Sequence, residues 1–184
     1  MEFATIFAGF GGQGLLFAGH ALAEAALLEG REVLWIPSYG PEMRGGTASC
    51  TVIVADGPIG SPIVDRAEAA VVLNPPSLAR FEPLLAPGGL LVLNTSLIEA
   101  EPSRADLEVV RVPCTAVARE AGDDRLVSVV GLGALLARRP IVEPASVEAA
   151  LRRLLADRPA SVLPADLAAL AAGERAARIL PAPS

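Results

Sequence analysis

The chain has 184 residues, a length typical of one domain. Its formal net charge is −6 with acidic residues distributed along it, which argues against a nucleic-acid surface of clustered basic residues. Apolar residues make up 52% and aromatic residues only 4%, so Ala, Leu and Val supply the core. This apolar excess predicts a surface that contacts other polypeptides, including a second copy of the chain when it is isolated.

The uncharged run from Phe3 to Ala23 is long enough to cross a bilayer, but its composition excludes that. It contains several glycines, a glutamine and a histidine, whose polar groups and backbone would lack partners in lipid. Glu2 stands where a signal peptide has a basic residue. We therefore expect a cytoplasmic protein that does not enter a membrane.

The first third of the chain alternates strand, helix and strand. FATIFAG (3–9) predicts a strand, and LLFAGHALAEAALLEG (15–30) predicts a helix with Gly30 at its C-cap. EVLWI (32–36) predicts a second buried strand, which would complete a parallel, right-handed βαβ unit. A polar loop follows, and ASCTVIVAD (48–56) predicts the next strand.

The rest of the chain continues this alternation and then turns helical. PPSLARFEPLLAPGG (75–89) predicts a short helix opened by proline and closed by glycine. Apolar runs predict further strands over 67–74, 88–96 and 107–113. Helical patterns cover 114–122, 126–138, 146–157 and 163–180.

These elements together predict one domain over residues 1–180. Its fold class is α/β: an open, mostly parallel sheet with helices on both faces, a Rossmann-like three-layer sandwich. The last residues, PAPS (181–184), predict a disordered tail.

Gly9, Gly11 and Gly14 stand between the first strand and the first helix with the spacing G-x-G-x-x-G. A nicotinamide site of this kind also needs an acidic residue at the end of the second strand, and Pro37 and Ser38 occupy that place. Two interpretations remain open. The glycines allow close packing of the helix on the sheet, or the turn presents its backbone amides to a phosphate or to another subunit.

Gln13 favours the second interpretation, because it adds a side-chain amide that a packing turn does not need. The loop after the second strand contains Arg44, whose planar guanidinium suits phosphate or carboxylate. Gly45 and Gly46 allow close backbone approach there. We expect both turns at the carboxyl ends of the strands, where open α/β sheets bind ligands. The alternative is a solvated surface connection.

The two stretches GFGGQGLLFAG and PSYGPEMRGGTASCTVIV together resemble the gamma subunit of 2-oxoacid:ferredoxin oxidoreductases. That family acts on pyruvate, 2-oxoglutarate or branched-chain 2-oxoacids. The resemblance extends through DGPIGSPIV, NPPSLARF and GGLLVLN, and more loosely through VPCTAVAREAG and VVGLGALL. It implies a multisubunit enzyme that decarboxylates a 2-oxoacid on thiamine diphosphate, reduces ferredoxin through iron–sulfur clusters and releases an acyl-CoA.

The resemblance also implies that different subunits hold the cofactors and contact coenzyme A. This chain lacks the G-D-G pattern for magnesium and thiamine diphosphate, and its two cysteines cannot supply the four ligands of an iron–sulfur cluster. Those cofactors are therefore expected on partners, the alpha, beta and ferredoxin-like delta subunits, with ferredoxin as acceptor. This chain, not catalytic alone, is expected to support assembly and to contact coenzyme A.

The residues expected to contact coenzyme A lie in the two turns, where backbone amides and a guanidinium match its phosphates. They are Gly11, Gly12, Gln13, Gly14, Ser38, Tyr39, Glu42, Arg44, Gly45 and Gly46. Within this set, Tyr39 and Glu42 are interpreted as orienting Arg44. No residue of the chain is assigned a catalytic or metal-binding role.

Two other functions stay open: the beta-type subunit of indolepyruvate oxidoreductase, and a free-standing nucleotide-binding module of Rossmann type. His20 is interpreted as a packed or solvated residue without a chemical role, and Cys50 as a small buried residue. Cys114 stands at the predicted start of a helix, a position that lowers a thiol pKa. Ser128 stands where many relatives place an asparagine, which bears on a helix cap or a subunit contact.

Overall fold

The computed structural model describes residues 1–39 and 46–179. Its strands are β1 (Glu2–Phe10), β2 (Glu32–Tyr39), β3 (Thr47–Ala55), β4 (Ala67–Val72), β5 (Leu85–Asn94) and β6 (Glu108–Val112). Its α-helices are α1 (Leu15–Leu28), α2 (Pro75–Phe81), α3 (Cys114–Glu120), α4 (Val127–Arg138), α5 (Pro144–Leu154) and α6 (Val162–Ile179). Each predicted strand is present. The predicted tail, 181–184, lies outside the described residues.

The strands form one open sheet in the order β2-β3-β1-β4-β5-β6. β1, β4, β5 and β6 pair in parallel, whereas β3 runs antiparallel to both β1 and β2. The prediction of an open, mostly parallel α/β sheet is confirmed. β1 and β2 run in the same direction, as predicted for the βαβ unit, but they do not pair with each other, because β3 returns from β2 as a hairpin and lies between them.

β2 is longer than predicted and includes Pro37, Ser38 and Tyr39. Pro37 lies opposite Cys50 of β3 in the pairing register. Because β2 is the outer strand of the sheet, a proline there removes no hydrogen bond from a second neighbour. These three residues therefore belong to a strand rather than to the loop that follows.

Helices cover both faces of the sheet, as predicted, but unequally. One face packs its apolar side chains, among them Phe7, Val52 and Val92, against α1, α3, α4, α5 and α6. On the other face, Ile53 and Leu91 pack in a smaller core with α2 and with connecting segments. None of the helices within the described ranges combines the length and apolar composition that a bilayer crossing requires.

The helix predicted over 75–89 is shorter in the structure. α2 ends at Phe81, a 3-10 turn covers Glu82–Leu84, and β5 begins at once at Leu85. Gly88 does not close the helix; it has φ +72° and lies within β5, where the pairing with β4 is irregular. The glycine therefore serves a strand distortion rather than a helix end.

α4 and α6 pack closely because each presents a glycine to the backbone of the other. A Cβ at Gly133 of α4 would overlap the carbonyl of Leu170, and a Cβ at Gly173 of α6 would overlap the carbonyl of Val130. Backbone atoms cannot move aside as flexible side chains do. These two glycines therefore set the distance between the helices.

We predict that Gly173→Ala destabilises the protein, although alanine is the better helix former. The overlap with α4 forces the helices apart, which we expect to lower the free energy of unfolding by about 2 kcal/mol net. Urea unfolding measures this. The control is Gly60→Ala, because Gly60 is exposed and a Cβ there meets nothing within 4 Å. Equal stability of the two variants would contradict the packing argument.

Candidate functional site

The glycine-rich turn connects β1 directly to α1. Gly12 and Gly14 have φ values of +90° and +75°, which side chains adopt only with strain. Gly14 is the N-cap residue of α1, and no side chain of the described residues caps the helix. The amides of the first helical turn are therefore left without a side-chain acceptor, which is the arrangement that attracts an anion.

Gln13 folds back and closes this turn. Its Oε1 accepts a hydrogen bond from the N–H of Phe10 at 2.6 Å, and its own N–H donates to the carbonyl of Phe10 at 3.3 Å. The side chain lies over Gly9, where any Cβ would overlap Oε1. Gln13 thus has a structural task as well, and the side-chain donor that remains for a ligand is Nε2.

The pairing of β1 with β3 brings the two glycine-bearing turns together. Gly9 lies opposite Ala48 and Phe10 lies opposite Thr47. The N–H of Gly11 then donates to the carbonyl of Gly46 at 3.3 Å. The end of the β2–β3 connection is therefore in direct contact with the turn that precedes α1.

The other predicted residues of this connection are placed only in part. Ser38 is exposed, and Tyr39 pairs with Ala48, so Tyr39 stands two strands from Gly9, about 10 Å across the sheet. Glu42, Arg44 and Gly45 lie outside the described residues. The proposed orientation of Arg44 by Tyr39 and Glu42 stays a prediction.

The turn also lies where the chain changes sides of the sheet. β1 and β4 are parallel neighbours, but β1 continues into α1 on one face and β4 continues into α2 on the other. A crevice opens at the carboxyl ends of two such strands, and open α/β sheets bind ligands there. The hydrogen bond from Leu73 N–H to Ala8 O, at 2.8 Å, joins the two strand ends.

Two buried asparagines at this rim were not predicted as site residues. Asn74 caps α2 by accepting from the N–H of Ser77 at 3.0 Å, while its Nδ2 has no hydrogen-bond partner among the residues that the structure describes. Asn94 donates to the carbonyl of Leu73 at 3.1 Å and to Oγ1 of Thr115 at 3.0 Å. Asn94 therefore braces the ends of β4, β5 and α3. The only sequence signal was an asparagine before Pro75, typical of an N-cap.

Ser128 packs against the start of α1. A Cβ on Gly14 would lie 2.8 Å from both Ser128 Oγ and the carbonyl of Arg125. Ser128 is fully buried, and its hydroxyl has no hydrogen-bond partner in the described chain. The N-terminus of α4 therefore lies against Gly14. A glycine is needed there both because φ is positive and because a Cβ would not fit.

The thiols take no part in the site. Cys50 and Cys114 are completely buried, and burial raises the pKa of each thiol to about 12. The interpretation of Cys50 as a packed residue is confirmed. The position of Cys114 at a helix start does not lower its pKa, because Pro113 is the N-cap of α3 and burial outweighs the effect of the helix terminus. His20 stacks on Trp35, with ring centroids 4.9 Å apart.

The described chain thus defines an open α/β domain whose glycine-rich turn and uncapped helix start lie at the carboxyl ends of β1 and β4. Comparison with known proteins identifies the family. The model of the family "Pyruvate ferredoxin/flavodoxin oxidoreductase" matches residues 4–176. The 2-oxoglutarate synthase subunit KorC of Methanocaldococcus jannaschii is 33% identical over 146 residues, 78% of this chain and 78% of that protein. This chain belongs to the pyruvate ferredoxin/flavodoxin oxidoreductase family, and the resemblance inferred from the two turns is confirmed.

The ketoisovalerate oxidoreductase subunit VorA of Methanothermobacter thermautotrophicus is more similar, with 43% identity over 130 residues. Those residues are 71% of this chain but only 27% of that protein, so the chain spans about a quarter of that relative. VorA therefore contains a large part that this chain does not match.

Solved structures share the fold over nearly the whole chain. The gamma subunit of a keto/oxoacid ferredoxin oxidoreductase from Geobacter sulfurreducens has a TM-score of 0.86 and 27% identity, covering 97% of this chain and 98% of that one. The 2-oxoglutarate:ferredoxin oxidoreductase from Magnetococcus marinus, solved with 2-oxoglutarate, coenzyme A and succinyl-CoA bound, has a TM-score of 0.88. Its identity is 22%, over all of this chain and 32% of that chain, which is a likeness of fold.

We predict that Gly14→Ala destabilises the protein more than Gly12→Ala. Both residues have positive φ, so each substitution costs about 1–2 kcal/mol of unfolding free energy in backbone strain. A Cβ at Gly12 meets nothing within 4 Å, whereas one at Gly14 meets Ser128 and the Arg125 carbonyl, which adds about 1–3 kcal/mol. Urea unfolding of both variants measures the difference. Equal losses of unfolding free energy would mean that Ser128 and the Arg125 carbonyl do not restrict the space at Gly14.

Proposed function

We propose that this chain is the gamma-type subunit of a multisubunit 2-oxoacid:ferredoxin oxidoreductase that forms acyl-CoA, and that its two turns contact coenzyme A. Membership in the family supports the first part, as do relatives named as subunits of 2-oxoglutarate synthase and ketoisovalerate oxidoreductase. The observation that carries the second part is the hydrogen bond between Gly11 N–H and Gly46 O. It joins the two turns at the edge of the sheet where ligands bind.

The chemistry of coenzyme A matches these two turns. Its pyrophosphate suits the amides at the start of α1, which no described side chain caps. Its 3′-phosphate suits a guanidinium, and Arg44 belongs to the connection that ends at Gly46. Coenzyme A is bound in the Magnetococcus marinus enzyme, although the likeness to that structure is one of fold.

The redox and decarboxylation chemistry is assigned to other subunits, because the described residues do not fit those cofactors. They contain no group of three or more His, Cys, Asp or Glu side chains that converge as metal ligands. The two thiols are buried in separate elements and number half of what a cluster needs. We therefore propose that alpha, beta and ferredoxin-like delta partners hold thiamine diphosphate, magnesium and the iron–sulfur clusters and reduce ferredoxin.

The identity of the 2-oxoacid would then depend on the partners. Relatives of this chain are named after ketoisovalerate, 2-oxoglutarate, and pyruvate with ketoisovalerate. A domain that holds the acyl acceptor serves each of these substrates equally well. Assaying the complex with a panel of 2-oxoacids, indolepyruvate included, identifies the substrate and separates this proposal from an indolepyruvate enzyme. A free-standing nucleotide-binding module would copurify with none of the partner cofactors.

We predict that Arg44→Ala in the assembled complex raises the KM for coenzyme A. Removing a charge-assisted hydrogen bond to a phosphate should raise it about tenfold. Decarboxylation of the 2-oxoacid measured without coenzyme A should stay near the wild-type rate, because that step does not need the acceptor. Steady-state kinetics with ferredoxin or an artificial acceptor gives both quantities.

The matched control is Arg152→Ala, which removes an exposed arginine that pairs with Glu148 on α5 and belongs to neither turn. It should leave the KM for coenzyme A unchanged. If Arg44→Ala behaves like this control, Arg44 does not contact coenzyme A.

A further inference from the structure

A separate cavity of about 630 Å³ lies on the other side of the start of α1. It is framed by the first turn of α1, the connection from α3 to α4, the connection from α5 to α6, and the first turns of α6. Among the described residues, Gly14 is the one that it shares with the candidate coenzyme A contacts. A volume of this size suits a small organic ligand.

The cavity contains a buried carboxylate without a donor. Asp166 of α6 is 3% exposed and lines the cavity. Burial, together with the negative charge of Asp123, raises its pKa to about 6, and no hydrogen bond from the described residues offsets this. Asp166 is therefore mostly ionised at pH 7.5. A buried charge without a partner costs free energy, and such groups occur preferentially where a ligand binds.

The other charged groups on the cavity wall leave one cation unpaired. Asp123 and Arg125 pair with each other at 2.6 Å, and Asp123 also accepts from the N–H of Arg125 at 2.8 Å. Arg158 is exposed and forms no ion pair within the described part of the chain. The cavity thus offers a buried acceptor at Asp166 and a free guanidinium at its exposed edge.

The remaining wall is apolar and suits a flat, weakly polar ring. Its larger apolar side chains come from α1, the start of α4, the end of α5 and the start of α6, and they include one aromatic ring. They are Phe17, Leu126, Val129, Leu155 and Val162.

We propose that this cavity binds an adenine nucleotide, with the 6-amino group donating to Asp166 and a phosphate facing Arg158. A carboxylate accepts well from an exocyclic amino group, and a guanidinium binds phosphate. Coenzyme A cannot fill this cavity and the two turns at once, because its 3′-phosphate is attached to the adenosine ribose and the proposed function assigns that phosphate to Arg44. The occupant is therefore a separate adenine nucleotide. The nucleotide site is inferred from this chain's own residues and is testable without the enzyme.

The test compares AMP with IMP, which carries a carbonyl in place of the amino group. Isothermal titration of the full chain at pH 7.5 should give at least about tenfold tighter binding of AMP, because the IMP carbonyl would face the Asp166 carboxylate. In Asp166→Asn the side chain both donates and accepts, so the preference for AMP should fall toward onefold. The control is Asp157→Asn, which changes an exposed carboxylate next to Arg158 in the chain and should keep the preference for AMP over IMP.

Arg158 is tested with and without the phosphate. Arg158→Gln should weaken AMP binding about tenfold and leave adenosine binding unchanged. Arg175→Gln, on the exposed side of α6, is the matched control and should change neither.

The inference is overturned if AMP does not bind, or if AMP and IMP bind equally to the wild-type chain. It is also overturned if n-butylamine binds in an Asp166-dependent way and AMP does not, which would indicate a site for an organic cation. Equal binding of AMP and IMP, together with a raised KM for coenzyme A in Arg44→Ala, would overturn this inference and leave the proposed function. Asp166-dependent AMP binding, together with an unchanged KM for coenzyme A in Arg44→Ala, would overturn the contact with coenzyme A and leave this inference.

Ionisation of Asp166 also predicts how stability depends on pH in the unliganded chain. The pKa is raised from 3.8 to about 6 on folding, so the destabilisation is absent below about 3.8, grows between these values and is complete above about 6. Asp166→Asn should therefore raise Tm by about 3–6 °C at pH 7.5 and by almost nothing at pH 4. Calorimetry at both pH values measures this. A Tm gain that does not depend on pH would mean that the carboxylate is satisfied in the folded chain.

Discussion

The position of β3 between β1 and β2 is the constraint on which both the core and the candidate site depend. In the register of this sheet, Cys50 and Val52 of β3 point toward α1, and Gly9 lies opposite Ala48. A slip of one residue would turn these core side chains to the other face and also separate Gly11 from Gly46. The burial of apolar side chains far from the rim therefore holds the two turns in contact.

Much of this fold was predictable because each element carries its own local signal. Continuous apolar runs indicated all six strands, and glycines indicated the turns. The order of the strands was not predictable in the same way, since periodicity describes an element and not its neighbour. The sequence from β1 through α1 to β2 is typical of a parallel unit, and nothing local revealed that β3 would insert. Pro37 was likewise interpreted as a loop residue, because only the edge position of β2 makes a proline acceptable in the strand.

The contacts that depend on distant segments were missed altogether. Asp166 stands in PADLAAL, which has the composition of an ordinary exposed helix start, yet it is buried among segments that are distant in the chain and line the same cavity. Ser128 was singled out only through the family resemblance, and its contact with Gly14 joins positions more than a hundred residues apart. Such contacts are properties of packing, so a pattern read along the chain carries no signal for them.

These contacts place the start of α1 between the glycine-rich turn and the cavity. One side of Gly14 continues into the turn that touches Gly46, and the other side lines the cavity that contains Asp166. The turn presents backbone amides and the cavity presents side chains, so the two sides of this helix terminus suit two different ligands. The geometry at Gly14 leaves no room for a side chain, because Ser128 at the start of α4 and the carbonyl of Arg125 just before it lie against the position of a Cβ. The same crowding that fixes the helix start therefore keeps the turn and the cavity at a constant distance from each other.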